Sequence, residues 1–167
     1  MNMQDFIPRE EKKPRKVVAR YQKPESVKRL EKDYFEFKYR NSSIPENCRF
    51  VKKFRDDTAN GLTECLSIWS KINGAFYQRQ NSQGQYDARL KMWRKSGSTK
   101  GIADVQVTHN GKVYNFEIKI GRDKQSDIQK QVQEQIIAAG GHYAVVKCYD
   151  DFLKELHSLH TIKKDTK

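Results

Sequence analysis

An Asn-Gly pair at residues 110–111 does more than any other feature to limit the folds open to this chain. Asn-Gly between two alternating runs marks a two-residue hairpin, because both central residues of a type I′ turn need positive φ. With Asn110 and Gly111 as the loop, His109 faces Lys112, and counting outward brings Asp104 opposite Glu117. Side chains alternate along a strand. Ala103, Val105 and Val107 therefore share an apolar face with Tyr114, Phe116, Ile118 and Ile120. Asp104, Gln106 and Thr108 share the other face with Val113, Asn115, Glu117 and Lys119. One face reads as core and the other as a site.

Like charges directly opposed on paired strands repel. A lone Glu-x-Lys is ordinarily surface decoration, since charged side chains mostly face solvent. The opposed aspartate and the clean apolar underside argue against that here. Two converging carboxylates suit a hard divalent cation, whose preferred ligands are oxygens.

The rest of the chain frames this hairpin as part of an α/β fold with a mixed central sheet flanked by helices. Val27, Leu30, Tyr34 and Phe37 lie at helical spacing within residues 25–40. Thr58 caps a predicted helix whose stripe is Leu62, Cys65, Leu66, Trp69 and Ile72, with Gly74 as its stop. Glu64 lies beside that stripe. Residues 75–80 read as a short strand, and residues 81–84 as a loop. Residues 86–94 fit no single pattern, with Leu90 and Trp93 expected as anchors, and residues 96–101 read as a flexible loop. Ser126 caps a helix to Ala139 with Ile128, Val132, Ile136 and Ala139 as its expected buried stripe. Residues 143–148 form a strand, and a last helix begins at Asp150 or Asp151, presenting Phe152, Leu153, Leu156 and Leu159. The strand–helix–strand order predicts that the last two strands are parallel.

Charge separates the chain into regions. Residues 1–55 carry 16 basic and 8 acidic side chains, 8 of the 12 excess positive charges in the 167 residues. All four prolines also lie there. We expect a basic N-terminal extension over 1–55, partly disordered and partly helical, a folded domain over 56–160 and a basic tail over 161–167. A net charge of +12 favours a polyanionic partner. No apolar run approaches the length of a membrane span, and the charged N-terminus lacks a signal peptide's apolar region. Cys48, Cys65 and Cys148 have neither zinc spacing nor a disulfide framework, which points to a reducing, cytoplasmic setting. Gly97-Ser98-Thr99-Lys100-Gly101 lacks P-loop spacing and precedes a strand, so no nucleotide pocket is expected. His157 and His160 lack further ligands at zinc spacing.

Gly101-Ile102-Ala103-Asp104, then twelve residues, then Glu117-Ile118-Lys119 resembles the core of the PD-(D/E)XK nuclease superfamily. Glu64, the run Phe76-Tyr77-Gln78-Arg79-Gln80-Asn81-Ser82, Ser126-x-x-Gln129 and Gly140-Gly141-His142-Tyr143-Ala144-Val145-Val146 extend the likeness to its VRR-NUC family over about residues 58–156. Ala103 stands where that pattern usually has proline. The resemblance implies a restriction-endonuclease-like core and a metal-dependent endonuclease acting on DNA, structure-selective in phage replication, recombination or repair. It implies Mg2+, with Mn2+ as substitute, on Asp104, Glu117 and the Ile118 carbonyl, and Glu64 joining from its helix. Lys119 would orient or activate the attacking water, and Gln129 would steady it. Arg79, Asn81 and Lys100 would hold phosphates. DNA, a second copy of the chain and other replication or recombination proteins are the implied partners, in a bacterial or phage-infected cytoplasm. Read from the residues alone, Glu64 fits a solvated helix position equally well, and Gln129 an ordinary helix-start polar residue. A non-catalytic nucleic-acid-binding module on the same fold is the alternative.

Overall fold

Whether the hairpin forms in the expected register decides where every polar side chain goes. The computed structural model describes residues 20–80, 85–94, 97 and 99–161. In it β4 (Val105–His109) and β5 (Lys112–Ile118) pair antiparallel, with His109 opposite Lys112 and Val105 opposite Phe116. Asn110 and Gly111 have φ of 49° and 71°, as a type I′ turn demands.

Four strands make the main sheet, in the order β1-β4-β5-β6. β1 (Phe76–Arg79) is antiparallel to β4, and β6 (His142–Val146) is parallel to β5, so the sheet is mixed. Around it lie α1 (Glu25–Tyr39), α2 (Ala59–Ile72), α3 (Asp127–Ala138) and α4 (Tyr149–Thr161). Thr58 caps α2 by accepting from the Gly61 N–H at 3.1 Å. Among the described residues no helix is long and apolar enough to cross a membrane.

The core lies on one side of the sheet. Val105, Val107, Tyr114, Phe116 and Ile118 meet Leu62, Cys65 and Leu66 of α2 and Phe152 and Leu156 of α4. Val27 and Leu30 of α1, together with Phe54, belong to the same cluster. Burying such side chains contributes about 1.5–3 kcal/mol each, which docks α1 onto the folded body. Polar ties reinforce it. Buried Glu31 accepts from the Phe54 N–H at 2.8 Å and pairs with Lys23 and Lys53. Asp56 accepts from the Tyr21 hydroxyl at 2.7 Å and from the Tyr149 N–H at 3.0 Å. Packing thus takes in much of the stretch expected as an extension. Residues 1–19 and 162–167 lie outside the described residues.

Two expectations about packing fail. The apolar stripe of α3 is not buried: Ile128 is 48% exposed, Ala139 is exposed, and Val132 and Ile136 are half-buried. The physical reason is that α3 lies along the edge strand β6 and reaches β5 through the polar pair Gln129–Glu117, so little apolar surface covers its stripe. Residues 86–94 are the second case. They form a separate two-stranded hairpin, β2 (Gln85–Asp87) with β3 (Met92–Arg94), and Leu90 and Trp93 stand exposed instead of anchoring anything.

Candidate metal and phosphate site

One step past the last β4–β5 pair, the antiparallel register brings Asp104 opposite Glu117. The main chain holds Asp104 in place, because its carbonyl accepts from the Gln80 N–H at 2.8 Å. Its side chain turns toward β5, where Oδ2 accepts from the Ile118 N–H at 3.0 Å. The two acids therefore converge at one end of the sheet.

Glu117 is only 1% exposed. Its Oε1 accepts from the Gln129 side-chain amide and sits 2.9 Å from the Lys119 ammonium. Its Oε2 faces the Tyr143 hydroxyl at 3.4 Å. Burial pushes the Glu117 carboxyl above the usual carboxylate range; Lys119 opposes the shift and the nearby charge of Asp104 adds to it. A carboxylate so placed favours a cation beside it.

Lys119 is buried as well, and Asp123 lies 3.5 Å from its ammonium. Burial alone would lower the Lys119 pKa. The hydrogen bond and charge of Glu117, then Asp123, outweigh that and raise it. These contacts favour the charged form of Lys119.

Gln129 is placed by the start of α3. Ser126 Oγ accepts from the Gln129 N–H at 3.3 Å, and Gln129 Oε1 accepts from the Ser126 N–H at 2.9 Å. This reciprocal capping box leaves the Gln129 NH2 pointing back at Glu117. Gln129 thus steadies the acid, whereas the expectation had it steadying Lys119 or a water.

Beside these groups lies a cleft of about 470 Å³ lined by Lys100, Gly101, Lys119, Lys124, Ser126, Ile128 and Gln129. Lys100 and Lys124 have no salt-bridge partner among the described residues. Gly101, at φ +80°, comes so close to α3 that a Cβ there would meet the Ile128 carbonyl oxygen at 2.9 Å. That close approach shapes the cleft wall, and only glycine allows it.

Other expected members stand elsewhere. Glu64 is half-exposed on α2 and paired with Lys52 at 2.6 Å, and it forms no three-membered metal-holding group with the two acids. Arg79 lies opposite core-facing Val105 and donates to Asn60 at 3.1 Å. Asn81 is outside the described residues. Among the described residues no group of three or more His, Cys, Asp or Glu converges on a point. Two acids nevertheless suit Mg2+, which is commonly held by one or two carboxylates plus substrate phosphate oxygens.

Tyr143, Asp123 and Lys124 join the site unannounced by the sequence. Asp123 had a usable signal, four residues beyond Lys119. Tyr143 depends on the parallel register Asn115–Tyr143, which no local pattern encodes. Comparison with protein-family models, curated proteins and solved structures finds no match to this chain.

Proposed function

We propose that the protein is a Mg2+- or Mn2+-dependent nuclease that hydrolyses DNA phosphodiester bonds, with a restriction-endonuclease-like core of the VRR-NUC kind. The observation that carries this reading is the convergence of Asp104 and Glu117, with buried Lys119 beside them, next to a lysine-lined cleft. The motif resemblance and the +12 net charge support it. The same reading extends to action on branched DNA in the cytoplasm, a paired second copy, and other replication or recombination proteins as partners.

Asp104 and Glu117, with the Ile118 carbonyl, would hold the ion. When bound, it supplies a Lewis acid and lowers the pKa of water to generate a nucleophile at neutral pH. The remaining work falls to the chain's own side chains. Lys100 and Lys124 draw the phosphate into the cleft by charge. The Lys119 ammonium stabilises negative charge developing on phosphate oxygens, a role that needs a preset cation. Gln129 and Tyr143 hold the Glu117 carboxylate in one orientation. Glu64 has no part in this scheme.

The test is cleavage of supercoiled plasmid and of a synthetic four-way junction in Mg2+ or Mn2+. Cleavage that disappears in EDTA and in Asp104→Ala supports the reading. Equal activity in that variant and in excess EDTA removes it.

A second reading is favoured by one specific observation. Glu117 is already engaged by Lys119, Gln129 and Tyr143, an arrangement that a purely structural polar cluster would also adopt. A non-catalytic nucleic-acid-binding module predicts no calorimetric heat on Mn2+ titration, whereas the nuclease predicts binding that Asp104→Ala abolishes.

A further inference from the structure

The β2–β3 hairpin is where the chain departs most from what folding alone requires. Its strands hydrogen-bond only to each other among the described residues. A lone two-stranded hairpin is marginally stable in water, so its apolar residues would be expected to find cover. They do not. Trp93 is 70% exposed, and Tyr86, directly across from it, is 51% exposed. The two rings meet edge to face with centroids 5.8 Å apart. Leu90 and Met92 of the same hairpin are exposed as well.

The charges left without a salt bridge around this pair have one sign. Asp87 is occupied within the hairpin: Oδ1 accepts from the Arg89 and Leu90 N–H groups at 3.0 and 3.2 Å, and Oδ2 lies 3.5 Å from Arg94. Asp87 thereby shapes the tip and neutralises Arg94. Arg89 and Lys91, both exposed, carry no salt bridge among the described residues. Aromatic faces flanked by uncommitted cations suit a strand of nucleic acid, because bases stack on the rings and phosphates meet the cations. A purely apolar partner would leave those cations unmatched.

The hairpin's place in the chain gives it a use. The chain leaves the main sheet at Gln80 and returns at Asp104, and these two residues are hydrogen-bonded to each other. The hairpin therefore lies, along the chain, between two residues that are bonded to each other at the site end of the sheet.

We propose that the β2–β3 hairpin is a nucleic-acid arm that stacks an unpaired base on Trp93 and Tyr86 and grips the flanking phosphates with Arg89 and Lys91. The arm makes single-stranded or unstacked segments the preferred ligand. It rests on the nucleic-acid part of the function above and is independent of hydrolysis.

The experiment measures binding by the full chain, in EDTA, of a fluorescein-labelled 20-nucleotide oligothymidine and of a blunt duplex. Trp93→Ala is expected to weaken oligothymidine binding about 5- to 100-fold, with duplex affinity changing less than about threefold. Trp93→Phe retains a stacking face and keeps binding close to wild type. In a Trp69→Phe background, where Trp93 is the sole tryptophan, oligothymidine quenches the emission. An Arg89→Ala/Lys91→Ala variant lowers the salt slope of oligothymidine binding by about 1.4. Unchanged oligothymidine affinity in Trp93→Ala overturns the proposal. So does a wild-type dimer in sedimentation that Trp93→Ala converts to monomer without loss of oligothymidine binding, since the arm would then serve a second copy. Binding without any metal-dependent cleavage keeps the arm and removes the nuclease. Asp104-dependent cleavage with an indifferent Trp93→Ala keeps the nuclease and removes the arm.

Discussion

Asp104 carries two separable properties, a hydrogen-bond acceptor and a charge. The acceptor serves the fold through the Ile118 N–H; the charge serves the proposed ion. Asp104→Asn keeps an acceptor and discards the charge. Its stability, read from the urea midpoint, is expected to lie within about 1 kcal/mol of wild type, while Mn2+ binding by calorimetry and plasmid cleavage are lost. Gln129 is divided in the same way between capping and orientation. Gln129→Ala removes both the capping box and the donor to Glu117. We expect a stability loss of about 1 kcal/mol and cleavage slowed about tenfold, measured by single-turnover kinetics. Much of this site was legible in the sequence because an Asn-Gly turn sets the register and period-two alternation sets the face. Glu64 stayed open between ion and solvent for the opposite reason. A helix position beside an apolar stripe fixes a face but not a reach, and Lys52, twelve residues upstream, claims its carboxylate.

Elements behave less predictably than the residues within them. α1 forms where helical spacing expects it, and its docking is decided by contacts distant in sequence. Burial alone would raise the Glu31 carboxyl; Lys23, the Phe54 N–H and Lys53 outweigh it and hold it below the usual range. A folded-state pKa below the unfolded value contributes stability above the unfolded pKa and loses it as pH falls through the folded one. Glu31→Gln is therefore expected to lower stability by about 1–2 kcal/mol at pH 7. The gap should narrow as the pH falls below about 4.3, the ordinary glutamate value, with urea midpoints at both pH values as the check. α3 teaches the converse. Its stripe of Ile128, Val132 and Ile136 has helical period, yet a period reports which residues share a face and not what that face meets. Here it runs beside the edge strand β6 with little apolar surface to cover it, and the helix meets β5 through the polar pair Gln129–Glu117.

For the molecule as a whole, the +12 charge predicts nucleic-acid binding that weakens steeply with salt. Each phosphate neutralised on duplex DNA adds about 0.9 to the slope of log K against log salt. If Lys100 and Lys124 each contact a phosphate, the Lys100→Ala/Lys124→Ala variant lowers that slope by about 1.8, measured by fluorescence anisotropy between low and physiological salt. An unchanged slope places duplex binding away from the cleft.

The sequence alone determined whatever depends on neighbours along the chain. That covers the 110–111 turn and the pairing it imposes, the apolar underside of the hairpin, the Thr58 and Ser126 caps and the order of the α-helices and main-sheet strands. Short-range sterics and alternation are complete within a few residues, so they can be read without a fold. Tertiary structure decided what required distant segments to meet: Tyr143 against Glu117, Glu64 drawn to Lys52, the apolar stripe of α3 left without cover, and the β2–β3 hairpin left uncovered. Those outcomes depend on how separate elements compete for the same buried surface, and that competition is resolved only when the whole chain packs.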